Sequence, residues 1–485
     1  MFDAEKSDFA ISQNHQQCVY EDIVSLPCEL HDDETRGVTD IEPKSRQNYA
    51  FSTEYFEVPM KHGYEMESAD DQTSSTEETI RVAAERFIHS IKHPYPSHSL
   101  AHCGQNSQGV RLIQSLLSCA EKVADNQYER ALKFLKECDV ESFSTGTPIQ
   151  RLAFYFSRAL FEKIANETGR IIVKNVEDIN LPNPVESVMF PNINLFLSFQ
   201  KEHPLAQVTK LVGVQAILDH VERNGTIQII DLEIRSGVQW IILMQDLASR
   251  TEHPVQSLRI TAVGTKWRSI IQETGRQLAG FARSLNLEFT FETLMVADFS
   301  DLNHALFHAH ADEPVVVYAP YVLANHVGRV EQLDHLMTVM RTLNPCVMIL
   351  TELEANCNSP TFVERFVESL FFFGVFFDSL ECCFKHDEAR RVEVESCWFG
   401  SSIKNILAAD GEERKFRHVS IKVWRAFFAR YGLEEVELSS SSVDQACIGL
   451  QSLACGRFCT LYRDGKCLTI GWKGTPLSSV SAWTF

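Results

Sequence analysis

The chain holds no apolar run approaching the ~18 residues of a membrane-crossing helix, so no helical membrane span is expected in it. Positive charge is scarce: 45 lysines and arginines face 65 aspartates and glutamates, a formal net charge of −20. A broad grip on a membrane surface or on nucleic-acid phosphates is therefore excluded, although a small basic patch is not. The start Met1-Phe2-Asp3-Ala4-Glu5-Lys6 lacks the apolar core of a secretion signal, and the chain is expected to stay inside the cell. Its 14 cysteines are scattered, which there reads as reduced, buried thiols. No Gly-x-Ser-x-Gly nucleophile motif occurs. The clusters nearest to a zinc site are Cys455 with Cys459, and Cys382-Cys383 with His386; neither has a second short-spaced pair. His304, His308 and His310 share one segment beside Ala and Phe, and read as a helical surface.

What is present is enough apolar residue, 44%, for a large core. A length of 485 residues suggests roughly 3 domains as a prior from size. The first hundred residues stand apart, with 20 acids against 8 Lys/Arg and few aliphatic clusters. Such a segment cannot offset its ordering entropy by burial. Residues 1–106 are therefore expected to be an acidic, mostly disordered arm, with one helix over Glu77–Ile91 and with a melting temperature indifferent to its removal.

Residues 107–225 read as mainly helical. Val110, Ile113, Leu116, Leu117, Ala120 and Val123 recur at helical spacing, Pro148 suits a first helical turn, and Gly169 stands just past that helix's end. Pro182, Pro184 and Pro191 mark a loop-rich passage before a helix at Leu205–Glu222. From residue 226 strands and helices alternate. Strands are expected at Ile227–Asp231, Leu258–Val263, Glu288–Glu292, Val315–Tyr318 and Val347–Leu350. Helices are expected between them at Val238–Ser249, Arg268–Ser284, Asp298–His308 and Arg329–Arg341, the pattern of a parallel sheet with crossovers. Helices at Thr361–Phe372, Val392–Leu407 and Ser420–Tyr431 follow, then strands at Glu434–Leu438, Phe458–Tyr462 and Cys467–Trp472 and an apolar terminal strand.

Asp231 closes the first strand, where open α/β sheets bind their ligands. A nucleotide-binding enzyme would place a glycine-rich loop there, but the loop is Glu233-Ile234-Arg235-Ser236-Gly237. The second strand ends on Val263-Gly264-Thr265, with no acid for a ribose. Asp231 and Glu233 are accordingly expected to cap the next helix or bind loop amides, and no cofactor, metal or catalytic residue is assigned.

The C-terminal landmarks make a resemblance specific. Trp472 and Trp483 stand eleven apart with Pro476 and Leu477 between them, the chain ends on Ser481-Ala482-Trp483-Thr484-Phe485, and Trp424 precedes Gly432 by eight. With Ile229-Ile230-Asp231, Gln239-Trp240, Leu116-Leu117-Ser118-Cys119-Ala120, Glu352-Leu353-Glu354-Ala355-Asn356 and the aromatic block from Arg365-Phe366 to Phe377-Asp378, the chain resembles the plant GRAS family over about Gly109 to Phe485. Gly109-Val110-Arg111-Leu112 and Gly146 to Arg151 resemble its DELLA-like branch, yet Met1 to Leu100 contains neither Asp-Glu-Leu-Leu-Ala nor Val-His-Tyr-Asn-Pro, so no gibberellin-receptor binding is expected. Gln228 stands where the family usually carries His, and Arg414-Lys415-Phe416-Arg417-His418 lacks its usual Glu.

The resemblance implies an α/β, methyltransferase-like (Rossmann-type) core under an α-helical cap. It also implies a nuclear transcriptional cofactor that binds DNA-binding factors, zinc-finger types among them, or other GRAS chains. A small-molecule methyltransferase and a sequence-specific DNA binder are the alternatives. Trp240, Trp398, Trp424, Trp472 and Trp483 are expected to anchor the core. Leu112, Leu116 and Leu211 are candidates for partner docking, with both helices' apolar stripes fully internal as the plainer reading. Arg414, Lys415, Arg417, Lys422 and Arg425 form a candidate basic patch, with a solvated helix or internal ion pairing as its plainer reading.

Overall fold

The computed structural model describes residues 75–92, 107–169, 193–310 and 313–485. The acidic arm before residue 75 and the proline-rich passage around Pro182, Pro184 and Pro191 lie outside the described residues.

Among the described residues, nine strands form one sheet in the order β3-β2-β1-β4-β5-β9-β8-β7, with β6 also on β9. β1 (Thr226–Asp231), β2 (Ser257–Gly264), β3 (Glu288–Met295), β4 (Val315–Pro320) and β5 (Val347–Leu353) run parallel. β9 (Thr475–Thr484) lies antiparallel to β5 and to β6 (Glu434–Val436), and β8 (Cys467–Trp472) and β7 (Cys459–Asp464) extend that edge as a hairpin. Five parallel strands followed by a reversed one form the methyltransferase-like α/β sheet. β1, β4 and β5 carry near-continuous Ile, Val, Met and Leu, as strands covered on both faces must.

Among the described residues, six helices precede the sheet: α1 (Thr76–Lys92), α2 (Ser107–Ala124), α3 (Tyr128–Glu141), α4 (Pro148–Thr168), α5 (Ile193–Glu202) and α6 (Pro204–His220). α4 begins where Thr147 and Gln150 form a capping box with Pro148 in the first turn, and it ends on left-handed Gly169. α7 (Val238–Ser249) and α8 (Arg268–Ser284) follow β1 and β2, and α9 (Val330–Leu343) follows β4. Beyond β5 come α10 (Phe362–Cys383), α11 (Glu388–Val394), α12 (Ser401–Ala408), α13 (Ile421–Ala429) and α14 (Ser440–Gln451).

Four expectations change. The helix expected over Asp298–His308 is two short 3-10 turns, Phe299–Asp301 and His304–Phe307. Asp298 and Asp301 accept hydrogen bonds from the backbone amides of Ser300 and Ala297, an arrangement that competes with helix. The helix expected over Val392–Leu407 is α11 and α12 joined by a π-helical segment, Glu395–Gly400. α14 is an element that the sequence reading does not place; Ser439 caps it by accepting the Ser442 amide at 3.0 Å. Finally, α1 does not belong to a solvated arm. It packs on α2 and α10 and buries Ile80, Ala83 and Ala84. The Thr76 amide donates to Asp378 at 3.3 Å. The folded unit therefore includes residues ahead of the expected boundary at 106.

Candidate functional site

The strand order reverses between β1 and β4, and Asp231 lies at that point, opposite Tyr318 of β4. Its carboxylate is fully buried. It accepts the Glu233 amide at 3.0 Å, Gln239 Nε2 at 3.2 Å and Trp240 Nε1 at 2.8 Å. Burial pushes its pKa up to about 7, against the pull of these donors. Ile229-Ile230-Asp231 and Gln239-Trp240 thus form one lock between β1 and α7, closed by the edge of Trp240 on Tyr318 at 5.1 Å.

The loop after Asp231 occupies the crevice itself. Ile234 and Arg235 are buried, and the Arg235 guanidinium lies over Phe196 at 5.6 Å. Gly237 has φ +66°, and a Cβ there would stand 3.0 Å from Leu278 and Thr274 of α8. This glycine serves helix packing, not the approach of a ligand. At the end of β2, the Ile271 side chain lies where a Cβ on Gly264 would be, 2.3 Å away. What remains is a space of about 40 Å³ lined by Glu233, Ile234, Val263, Lys266 and Trp267. Sites for nucleoside-sized molecules run to roughly 300–1,000 Å³. The residues present do not fit S-adenosylmethionine, the group that this fold implies.

The other landmark residues serve the core. Trp424 stacks on Phe428 at 5.6 Å, and Phe428 meets Trp483 edge-on at 4.7 Å, fastening α13 to β9. Trp483 Nε1 donates to Ser481, and Trp472 is buried in the β7–β8 hairpin. Gly432 takes φ +81° just past α13. Glu354 accepts the Ile421 amide at 3.1 Å and the Ser479 hydroxyl at 2.7 Å, so that motif's second acid holds the start of α13 against β9. Gln228, at the family's His position, donates to the Phe307 carbonyl at 2.6 Å.

Two groups of candidates are corrected. Leu112, Leu116 and Leu211 are 2%, 0% and 7% exposed, so no docking groove lies on them. α1, α3 and α4 cover the α2 leucines, while α14 covers Leu211, where Gly449 allows close approach. The basic stretch is also not a free cationic surface. Arg414 is buried, and Arg417 donates to the carbonyls of Arg414 and Gly411 at 3.1 and 2.7 Å. Arg425 is paired with Glu435 and Asp464, each at 2.9 Å, and Lys415 is half-buried. Of the five, Lys422 alone is exposed. Phe416, within the same segment, is buried.

Sequence spacing gave no sign of the pair Arg151 and Glu395, both 0% exposed. Arg151 Nε reaches both carboxylate oxygens at 3.0 Å, and its Nη1 donates to the Gly146 carbonyl at 2.6 Å. Glu395 opens the π-helical segment, and burial raises its pKa to about 7.

The GRAS domain family profile matches residues 112–484. The chain belongs to the GRAS domain family. Within the family, it is 29% identical to the DELLA protein GAI1 of Vitis vinifera over 77% of this chain and 62% of that protein. It is 29% identical to DELLA protein 2 of Medicago truncatula over 78% of this chain and 68% of that protein. The crystal structure of SCL7 in Oryza sativa superposes with a TM-score of 0.67 at 28% identity, covering 77% of this chain and 99% of that one. The match thus spans somewhat under two thirds of the grape relative's length, and neither DELLA receptor motif named above occurs between Met1 and Leu100. No helix of the described residues is long and apolar enough to cross a membrane.

Proposed function

We propose that this GRAS chain is a nuclear transcriptional regulator that works by binding DNA-binding transcription factors, zinc-finger types among them, and other GRAS chains. It does not act as a catalyst in this reading. The observation that carries the reading is the packed crevice at Asp231. A methyltransferase sheet has been kept, while Ile234, Arg235 and Ile271 take up the room its cofactor would need. Association with DNA is indirect or weak. Within the basic stretch, Arg417 and Arg425 are held by internal carbonyls and carboxylates, Arg414 is buried, and the whole chain is strongly acidic.

Two measurements test this. Calorimetry of the chain with millimolar S-adenosylmethionine is expected to give no binding heat, and a micromolar isotherm would restore the enzyme reading. Affinity purification of the tagged chain from plant nuclei is expected to enrich sequence-specific DNA-binding factors and other GRAS chains. Enrichment of neither, or exclusion of the chain from nuclei, would overturn the proposal.

A further inference from the structure

Considered separately, Cys382-Cys383 and Cys455 with Cys459 are each too few to hold a metal. Among the described residues, no group of three or more His, Cys, Asp or Glu side chains is placed to do so. The fold nevertheless brings the two clusters together. α10 ends at Cys383, the short turn Ala454–Phe458 packs on that end, and Cys383 Sγ stands 3.2 Å from Cys455 Sγ. Both are free thiols. Roughly 1 Å of approach brings two such sulfurs to the ~2.05 Å of a disulfide. The pair is not sealed. A cleft of about 420 Å³ reaches its Cys383 side, lined by Cys383 with Leu197, Ser198, Lys201, His386 and Arg390, while Cys455 lies buried behind it.

We propose that Cys383 and Cys455 are a reactive dithiol, reached through this cleft, that a hydroperoxide converts to an intrachain disulfide. The Cys383 thiol donates to the Cys455 sulfur, and that donation holds the Cys455 pKa below its usual value. Of the two sulfurs, Cys455 is therefore the readier to deprotonate and to act as the nucleophile. Burial holds the neighbouring Cys382 and Cys459 up, which slows them as competitors.

The Cys455 sulfur attacks one peroxide oxygen. An S–O bond forms, the O–O bond breaks, and the departing alkoxide takes a proton and leaves as the alcohol, or as water when the oxidant is hydrogen peroxide. The resulting sulfenic acid is then attacked by the Cys383 sulfur. An S–S bond forms, the S–O bond breaks, and hydroxide leaves as water with the proton that Cys383 gives up. Two thiols lose two electrons and two protons, and the hydroperoxide gains them. The bridge spans 72 positions and ties the end of α10 to the turn that leads into β7, so the oxidised chain is expected to melt higher than the reduced one.

The test is to titrate the purified, reduced full chain with hydrogen peroxide, digest it without reduction and map cross-linked peptides by mass spectrometry. The expected first product joins Cys383 to Cys455 and is reversed by dithiothreitol. In C383S the sulfenic acid on Cys455 should persist and be trapped by dimedone, whereas C455S should give no cross-link at Cys383. The wild-type map needs no variant to fold. Oxidation of other cysteines while these two stay as thiols would overturn the proposal, as would a dominant cross-link between a different pair.

Discussion

Asp231 shows how a motif acid can be structural and still titrate. Its carboxyl has a folded pKa of about 7 against an ordinary value of 3.8, because burial penalises the charged form more than three hydrogen-bond donors favour it. The folded state therefore binds this proton more tightly than the unfolded chain does. The stability linked to it is fully present below about pH 4 and is lost as pH rises through about 7. Glu354 and Glu395, both raised to about 7, add to the same slope. Denaturant unfolding of Asp231→Asn is expected to fall less steeply than wild type across that window, and an identical slope would mean that Asp231 is already ionised when folded. Leu116 gives a second prediction at this scale. At 0% exposure, Leu116→Asp places a carboxylate in the cap core and should unfold the cap, costing several kcal/mol by denaturant melt. A folded L116D chain that merely loses a partner would return the docking role to α2.

Among the elements, α1 and α14 decide most. α1 lies on α10 so closely that a Cβ on Gly374 would stand 2.5 Å from the Ile80 side chain. A chain beginning at residue 106 is therefore expected to melt several degrees below one beginning at residue 74. The loss corresponds to about 2–4 kcal/mol of apolar burial. Equal melting temperatures would remove α1 from the core. α14 seals α6 in the same manner, and its small residues permit the close contact at Gly449.

At the scale of the whole molecule, the helical cap and the segments that follow the parallel strands meet at Arg151. This side chain of α4 joins Glu395 in the π-helical segment, Glu381 at 2.8 Å at the end of α10, and the Gly146 carbonyl. Arg151→Ala strands a buried carboxylate, so a loss of roughly 3–5 kcal/mol is expected in chemical denaturation, with much of it recovered in Arg151→Met/Glu395→Leu. A loss below 1 kcal/mol for the single variant, on the order of an exposed pair, would mean that water reaches the site.

The sequence by itself determined the periodic and the punctuated parts of this protein. β-branched runs separated by helical spacing specify the parallel strands and crossovers, because period and length are local properties. Pro148 and Gly169 mark the ends of α4 because such signals act within one turn. The loop Glu233 to Gly237 was legible as poor in glycine, and its side chains do fill the crevice. Only the tertiary structure decided which surfaces are free. Whether Leu211 faces a partner depends on α14, more than two hundred positions away, and whether Arg425 faces DNA depends on Glu435 and Asp464. The pairings of Arg151 with Glu395 and of Cys383 with Cys455 depend likewise on long-range packing. Such contacts carry no period or spacing along the chain. They arise when separate elements bury their apolar faces together and bring the polar groups between them within bonding distance.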